Sequence, residues 1–564
     1  MGDYPWLKNY APGVDWHAEI EKRPMPALMD DAVNRFGDRP CVDFLDKKFT
    51  YRQIGVMIDR AAKGFQDLGV GKGVKVGLFL PNCPQFIVAY YGVLKAGGTV
   101  VNFSPLYSEE QLLHQIEDSH TDIMVTLHLK ALYPKMELML RESRLQKLVV
   151  GTLSEVLPFP KNLLFPVFKR GEIARVPNDA RHVSFQELMN NEGDVAPVAI
   201  DVDEDIAVLQ YTGGTTGVSK GAMLTHGNLS ANIHQAALWF PGARPGEEKM
   251  MGVLPFFHVF AMTVVMNYTL HIGGEIIMHP RFVLEDVMKA IPQKKPTMMP
   301  GVPTMYTAIA GHPAATTTDM SSIHSCMSGG APLPVEVKQR FEQMTGAKVF
   351  EGYGLTETSP IASANPLNGV NKPGSIGQPS PRTVISIYDR DDPDREMPLG
   401  EAGEICIQGP QVMKGYWGRE EETAKAMHGG RLHTGDVGYM DEDGYTFIID
   451  RMKDLVLVGG FNVFPRHVEE SIYEHPAVDE VTVIGIPDDY TGQAVKAFVK
   501  LKDAEEIDEE KLKAFLTSKL GKHEMPKHIE FRAELPKTMI GKLSKKELVA
   551  EEMEKYEAAK GAPE

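Results

Sequence analysis

Between Thr212 and Gly217 the chain reads TGGTTG, and Lys220 follows three positions later. Glycine lets backbone N–H groups converge on one point, threonine adds hydroxyls, and lysine adds a compact positive charge. A ligand that uses all three is a chain of phosphates. The spacing differs from the Walker A loop, in which glycine directly precedes the lysine and Ser or Thr follows it. Here Ser219 precedes Lys220 and Gly221 follows. An ordinary P-loop nucleotidase is therefore disfavoured. A tight turn that uses glycine only for positive φ is the competing reading of the stretch taken alone.

The flanking segments indicate what must position this loop. DIAVLQY (Asp205 to Tyr211) is an apolar run of strand length, and Leu229, Ile233, Ala236, Ala237 and Phe240 recur at helical spacing after it. The glycines are thus expected in a strand-to-helix connection. Earlier, VKVGLFL (Val74 to Leu80), a helical stretch closed by Gly97 and Gly98, and TVVNF (Thr99 to Phe103) form a βαβ unit. Ser108 with Gln111 signals a capping box, and DIMVTL (Asp122 to Leu127) supplies the next strand. The alternation predicts an α/β fold, with a large N-terminal domain of parallel-sheet subdomains. From GGEIIMHP to GEICIQG the alternation blurs, which suggests an added antiparallel or barrel-like β-rich piece. After about residue 450 two strands, VDEVTVIGI and AVKAFVKL, precede a helix face of Leu512, Phe515, Leu516 and Leu520, so a small α+β domain follows. The division expected is 1–451 and 452–564. The charged stretch after Ser544 reads as a solvated helix that frays.

At 564 residues the chain exceeds what one core usually supports. Its 43% hydrophobic and 24% charged residues are those of an ordinary globular protein. A net charge of −17 argues against nucleic acid as the main partner. Cys41, Cys83, Cys326 and Cys406 are widely separated, which disfavours a zinc site or a disulfide framework and makes a reducing cytoplasm the expected compartment. The N-terminus lacks the pattern of a secretory signal, and no stretch reaches the roughly 20 apolar residues of a spanning helix. Leu157 to Arg170, LPFPKNLLFPVFKR, mixes large apolar residues with prolines and a basic end. A buried irregular connection is one reading of it, and a peripheral contact with the inner membrane face is the other.

At YTGGTTGVSKGAMLTHGN, residues 211–228, the chain closely resembles the phosphate-binding signature of the adenylate-forming superfamily, which includes acyl-CoA synthetases, peptide-synthetase adenylation domains and firefly luciferase. Ser219 stands where many members carry proline. Further landmarks follow in the family's order: LPFFHVFA, SGGAPLP, EGYGLTETSP, HTGDVGYMDEDGYTFIIDRMKD, GGFNVFPRHVEE and LPKTMIGKLSKKEL. The wording is most similar to that of bacterial long-chain fatty acyl-CoA synthetases. The resemblance implies ATP, Mg²⁺ and coenzyme A as reactants. A carboxylate attacks the α-phosphate of ATP, giving acyl-AMP and pyrophosphate, and the thiol of coenzyme A then displaces AMP.

Carried over position by position, the resemblance gives Lys542, behind Gly541, the central catalytic role, with His258 orienting the acyl carboxylate. Thr212, Gly213, Gly214, Thr215, Thr216, Gly217 and Lys220 would cradle the phosphates, and Glu357 with Thr212 would hold magnesium. Gly330, Ala331, Glu351, Gly352, Tyr353, Gly354, Thr356, Asp436 and Arg451 would enclose adenine and ribose. Lys453 and Asp454 would form the hinge of a mobile small domain, Gly459 and Gly460 would face coenzyme A, and Met262 and Val302 would line the acyl pocket. Each has an ordinary alternative. Lys542 reads equally as a solvated lysine of a basic tail, Glu357 as a cap, Tyr353 as a core aromatic, Asp436 as an Asx-turn and His258 as a core histidine. The activity implied is ligation of a fatty acid, most like a long chain, to coenzyme A. Medium-chain, short-chain or aryl acids, transfer to a carrier protein, and a lipid binder that has lost turnover are the alternatives. A homodimer is left open.

Overall fold

The computed structural model describes residues 4–212, 219–459, 461–488, 490–502, 505–538 and 541–561. A seven-stranded sheet runs in the order His182–Ser184, Lys147–Gly151, Thr121–Leu127, Lys75–Leu78, Thr99–Asn102, Ile206–Thr212, Lys220–Thr225, parallel except for the last strand. Lys75–Leu78 and Thr99–Asn102 are buried along their whole length, as central parallel strands covered on both faces must be. Helix Pro84–Lys95 is correspondingly apolar nearly all round, and Gly92 lets helix Tyr51–Asp67 approach, since a Cβ there would meet that of Ala61 at 3.0 Å. The capping box at Ser108 and Gln111 is formed as expected.

A second sheet runs Lys47–Thr50, Pro40–Phe44, Glu275–Met278, Lys249–Gly252, and continues through a bridge at Met298 to Ser325–Ser328 and Lys348–Gly354. The segments leaving the carboxyl ends of its strands meet the carboxyl ends of the first sheet. Asn82 Nδ2 donates to Leu254 O at 2.8 Å, Gln210 Nε2 to Phe257 O at 2.9 Å, and Asn102 Nδ2 contacts Met262 Sδ at 3.3 Å. Crevices beyond the carboxyl ends of parallel strands are where open α/β sheets bind ligands. The expected β-rich piece is an antiparallel sheet of Val384–Tyr388, Gly403–Gln408, Arg431–Met440, Thr446–Arg451 and Met427–His428.

Beyond it the apolar side chains gather into separate clusters. One holds Val456, Val483, Val499, Leu512 and Leu516, apart from the main core, which extends from Trp6 to Met440. Strands Val478–Asp488 and Gly492–Leu501 pair antiparallel and His528–Phe531 joins parallel, with helices Pro465–Tyr473, Glu509–Leu516 and Lys545–Gly561 beside them.

Three expectations are corrected. Lys220–Thr225 is a strand antiparallel to Ile206–Thr212, and the helix starts only at His226, so the glycine-rich stretch joins two strands of a hairpin and not a strand to a helix. Ile206–Thr212 is strongly apolar and Lys220–Thr225 is mostly buried beside it, and register pairing of Thr212 with Lys220 satisfies backbone groups that a direct helix start would leave open. The C-terminal helix is docked, because Leu548 is fully buried and packs with Ile484 and Phe498. Leu157 to Arg170 is not a buried connection: helix Lys161–Phe168 accommodates Pro166 and buries no residue.

Candidate active site

The landmarks converge because register places them at neighbouring strand ends. Ser328 lies opposite Glu351 in the parallel pair, so Gly329 to Pro334 and Gly352 to Thr358 emerge side by side. Glu351, expected near adenine or ribose, accepts the Leu333 N–H at 3.0 Å, which ties the two segments together; burial raises its carboxyl pKa. Gly354 is required by packing, since a Cβ would collide with the Pro360 backbone oxygen, whereas at Gly352 a Cβ would meet only the flexible end of Met327. Thr356 and Glu357 follow in a short 3₁₀ turn.

Tyr353 is buried, and its hydroxyl donates to Asp436 Oδ2 at 2.6 Å. Asp436 Oδ1 pairs with Arg451 Nε at 2.9 Å, as their opposed positions in the antiparallel ladder dictate. Asp436 therefore enters the site already oriented, with remaining lone pairs for hydroxyl donors. Burial and the adjacent Asp436 keep the Tyr353 phenol protonated.

The Gly541–Lys542 turn comes from the small domain. Lys542 N–H donates to Thr538 Oγ1 at 3.1 Å, and Gly541, at φ +80°, lies against Thr304, whose hydroxyl donates to Gly541 O at 3.1 Å. This directs the Lys542 side chain onto Gly330: a Cβ there would lie 2.6 Å from Lys542 Cε and 3.3 Å from Nζ, with Val302 Cγ1 at 3.7 Å. Burial, reinforced by the Arg451 charge and opposed by Asp436, lowers the Lys542 pKa to about 8. His258 is held near 3 by burial and by Lys542. Its Nδ1 accepts the Phe260 N–H at 3.3 Å, which assigns the neutral ring's proton to Nε2. Met262 lies in the first turn of a π-helix, Ala261–Asn267, a geometry frequent at functional sites.

Glu357 Oε1 accepts the Tyr416 hydroxyl at 2.7 Å. Thr212 ends its strand opposite Lys220, whose ammonium pairs with Glu422 and lies 5.3 Å from the Tyr416 ring centre. Gly213, Gly214, Thr215, Thr216, Gly217 and Gly460 lie outside the described residues. Lys453 and Asp454 form a 3₁₀ turn between the antiparallel sheet and the small domain. Gly459 is exposed, and its amide donates to Thr491 O at 2.9 Å. The structure thus gathers Lys542, Gly330, Val302, Tyr353, Asp436 and Arg451, whereas Gly459 makes its contact within the small domain.

Sequence reasoning missed Glu404, Tyr416 and Glu422. Glu404 Oε1 accepts the Gly435 N–H at 2.9 Å and Oε2 meets His433 Nδ1 at 2.7 Å, so it fixes the turn that presents Asp436. Its alternation in GEICIQG gave a strand but no hint of this bond. Tyr416 and Glu422 act across some sixty and two hundred residues, beyond any local pattern.

The AMP-binding enzyme model matches residues 29–417, and the model of the AMP-binding enzyme C-terminal domain matches residues 467–542. A long-chain-fatty-acid–CoA ligase of Bacillus subtilis strain 168 is 44% identical, the alignment covering 98% of this chain and 99% of that protein. One from Escherichia coli is 37% identical over 96% of this chain and 97% of its own length. Among solved structures, ATP-bound MatB from Rhodopseudomonas palustris superposes with a TM-score of 0.83 at 27% identity, covering 94% of this chain and 99% of that one. With residues 29–417, most of its length, matched by the family model, the chain belongs to the AMP-binding enzyme family.

Proposed function

We propose that the protein ligates a long-chain fatty acid to coenzyme A through an acyl-adenylate, releasing pyrophosphate and then AMP. The observation that supports this most directly is the Lys542 ammonium lying against Gly330 beside the Tyr353–Asp436–Arg451 group. The first step joins two anions, so its barrier falls chiefly where positive charge and fixed donors face the reacting oxygens. Lys542 would contact a carboxylate oxygen and the α-phosphate as the oxygen–phosphorus bond forms and pyrophosphate leaves. His258 Nε2–H would donate to the other carboxylate oxygen. Asp436 would accept ribose hydroxyl protons, and Tyr353 with Gly330, Ala331, Gly352, Gly354 and Thr356 would flank adenine. Thr212, the glycine-rich stretch and Lys220 would take the outer phosphates. Glu357 and Thr212 offer the oxygen donors that magnesium prefers, and the ion supplies charge neutralisation when bound.

In the second step the thiol attacks the acyl carbon, AMP departs, and Lys542 is no longer required. Lys453 and Asp454 would act as the hinge between units 1–451 and 452–564, rotating the small domain so that Gly459 and Gly460 face the pantetheine. Met262 and Val302 would line the acyl pocket. The decisive experiment is AMP production with coenzyme A and a graded series of carboxylic acids. A maximum at long chains supports the reading, and a maximum at aryl or short acids overturns the substrate assignment.

The cytoplasm is the proposed compartment, with peripheral contact to the inner membrane face. Among the described residues no helix is long and apolar enough to cross a membrane. On helix Lys161–Phe168 and its approach, however, Phe159, Leu163, Val167 and Phe168 are exposed, the two phenylalanines by 79% and 77%, beside Lys169 and Arg170. Phe165 packs on the core and anchors the helix. Phe159→Ser with Phe168→Ser should abolish sedimentation with anionic vesicles while leaving ligation of a soluble medium-chain acid intact. Undiminished sedimentation rejects this contact. A homodimer is the remaining proposal for a partner, and light scattering at working concentration decides it.

A further inference from the structure

Strand Lys220–Thr225 is the last of its sheet, but residues 414–417 lie along its outer edge. Lys414 N–H donates to Met223 O at 3.0 Å, Met223 N–H to Gly415 O at 2.8 Å, and Trp417 N–H to Gly221 O at 2.8 Å. This strap runs into helix Glu420–Ala426, and Thr423 Oγ1 accepts the Tyr416 N–H at 2.9 Å. It thereby sets two side chains on groups that the proposed function assigns to the nucleotide. The Glu422 carboxylate pairs with Lys220, and the Tyr416 hydroxyl donates to Glu357 at 2.7 Å while its ring faces the Lys220 ammonium.

We propose that this strap is a positioning device in which Glu422 competes with the nucleotide's polyphosphate for Lys220. The inference rests on the reading of Lys220 as a phosphate-binding residue. An ion pair serves as an exchangeable placeholder only if it is weak enough to yield. Here both side chains keep over a third of their surface exposed, 40% for Lys220 and 35% for Glu422, although the Glu422 oxygen that meets Lys220 is itself shielded; the pair is partly screened and stops short of full desolvation. A polyphosphate carries several negative charges and displaces it, whereas a fully desolvated pair would resist. Removing the carboxylate then strengthens nucleotide binding by two effects: the competitor for Lys220 disappears, and a like charge near the phosphates goes with it.

The test is titration calorimetry of the full-length protein with magnesium and α,β-methylene-ATP, paired with steady-state kinetics. Glu422→Gln should tighten binding by about two- to fivefold and lower KM for ATP without raising kcat. Glu422→Asp, which keeps the charge, should restore wild-type affinity, and Lys220→Met should weaken binding. In the Lys220→Met background the gain from Glu422→Gln should shrink to less than twofold. Unchanged or weaker binding by Glu422→Gln, with Lys220→Met still impaired, overturns the competition and leaves the role of Lys220 standing. Wild-type affinity in Lys220→Met overturns that role, and the competition with it.

Discussion

Lys542 and His258 sit in the same buried crevice, and desolvation acts on both in the same direction with opposite functional results. Lys542, lowered to about 8, is mostly cationic at neutral pH and loses its proton as pH rises through 8. In the proposed mechanism kcat/KM for adenylate formation should therefore fall with an apparent pKa near 8 on the alkaline side. His258, near 3, stays neutral throughout, so no inflection between pH 5 and 7 should trace to it, and His258→Asn should leave the shape of the profile unchanged. Lys542→Ala should abolish pyrophosphate release from ATP and acid while leaving thioester formation from supplied acyl-AMP largely intact. Equal loss in both half-reactions contradicts the assigned role. Glu404→Ala should raise KM for ATP about tenfold with little change for the acid, because it frees the Gly435 turn without touching the acyl side, by roughly the 1–1.5 kcal/mol of a lost hydrogen bond. An unaltered KM would show that the turn holds without it. The identities of Lys542, Tyr353 and Asp436 were legible from their motifs. The Tyr353–Asp436–Arg451 chain was not, because register opposes only Asp436 and Arg451, while Tyr353 reaches Asp436, 83 residues on, from a strand of another sheet.

The glycine-rich element shows how a reading of residue types can stand apart from the local geometry around them. Its glycines, threonines and lysine were readable as a phosphate loop, but the hairpin was not. KGAMLT lacks strict alternation, so no strand is read between the apolar run ending at Tyr211 and the helical spacing that begins at Leu229. The strand forms because Ile206–Thr212 offers a free edge on which it pairs, a tertiary gain that propensity does not contain. The C-terminal helix errs the other way. Its charged composition suggests solvent on every side, yet Leu548 is buried against Ile484 and Phe498, and Glu552 pairs with Lys496 at 2.9 Å. Leu548→Ala should lower the small domain's stability by about 2–5 kcal/mol, read as a shift in the denaturation midpoint. A change below 0.5 kcal/mol would mean that the helix end contributes little to that core.

In the whole molecule, the proposed mechanism makes the position of the small C-terminal unit the choice between half-reactions. Thr304 to Gly541, Lys542 to Gly330 and Arg466 N–H to Asp450 Oδ2 at 2.8 Å all bridge from the large body to the small one, which fits adenylate formation. A rotation would exchange these contacts for others around Gly459. Lys453→Pro, by stiffening the turn between the two bodies, should slow conversion of acyl-AMP to thioester at least tenfold while adenylate formation continues at near its normal rate. Equal slowing of both steps would remove the hinge assignment. The sequence by itself determined the chemical inventory, the parallel α/β organisation, the change of texture near residue 450 and the family, because side-chain types, hydrophobic periods and ordered motifs are local properties of the chain. Only the tertiary structure decided that Ile206–Thr212 and Lys220–Thr225 pair antiparallel, that Glu404 holds the Gly435 turn while Tyr416 and Glu422 hold Glu357 and Lys220, and that Lys542 reaches Gly330. Those contacts depend on strand register and domain docking, in which residues distant along the chain are brought within bonding distance by burial of surfaces that no short window contains.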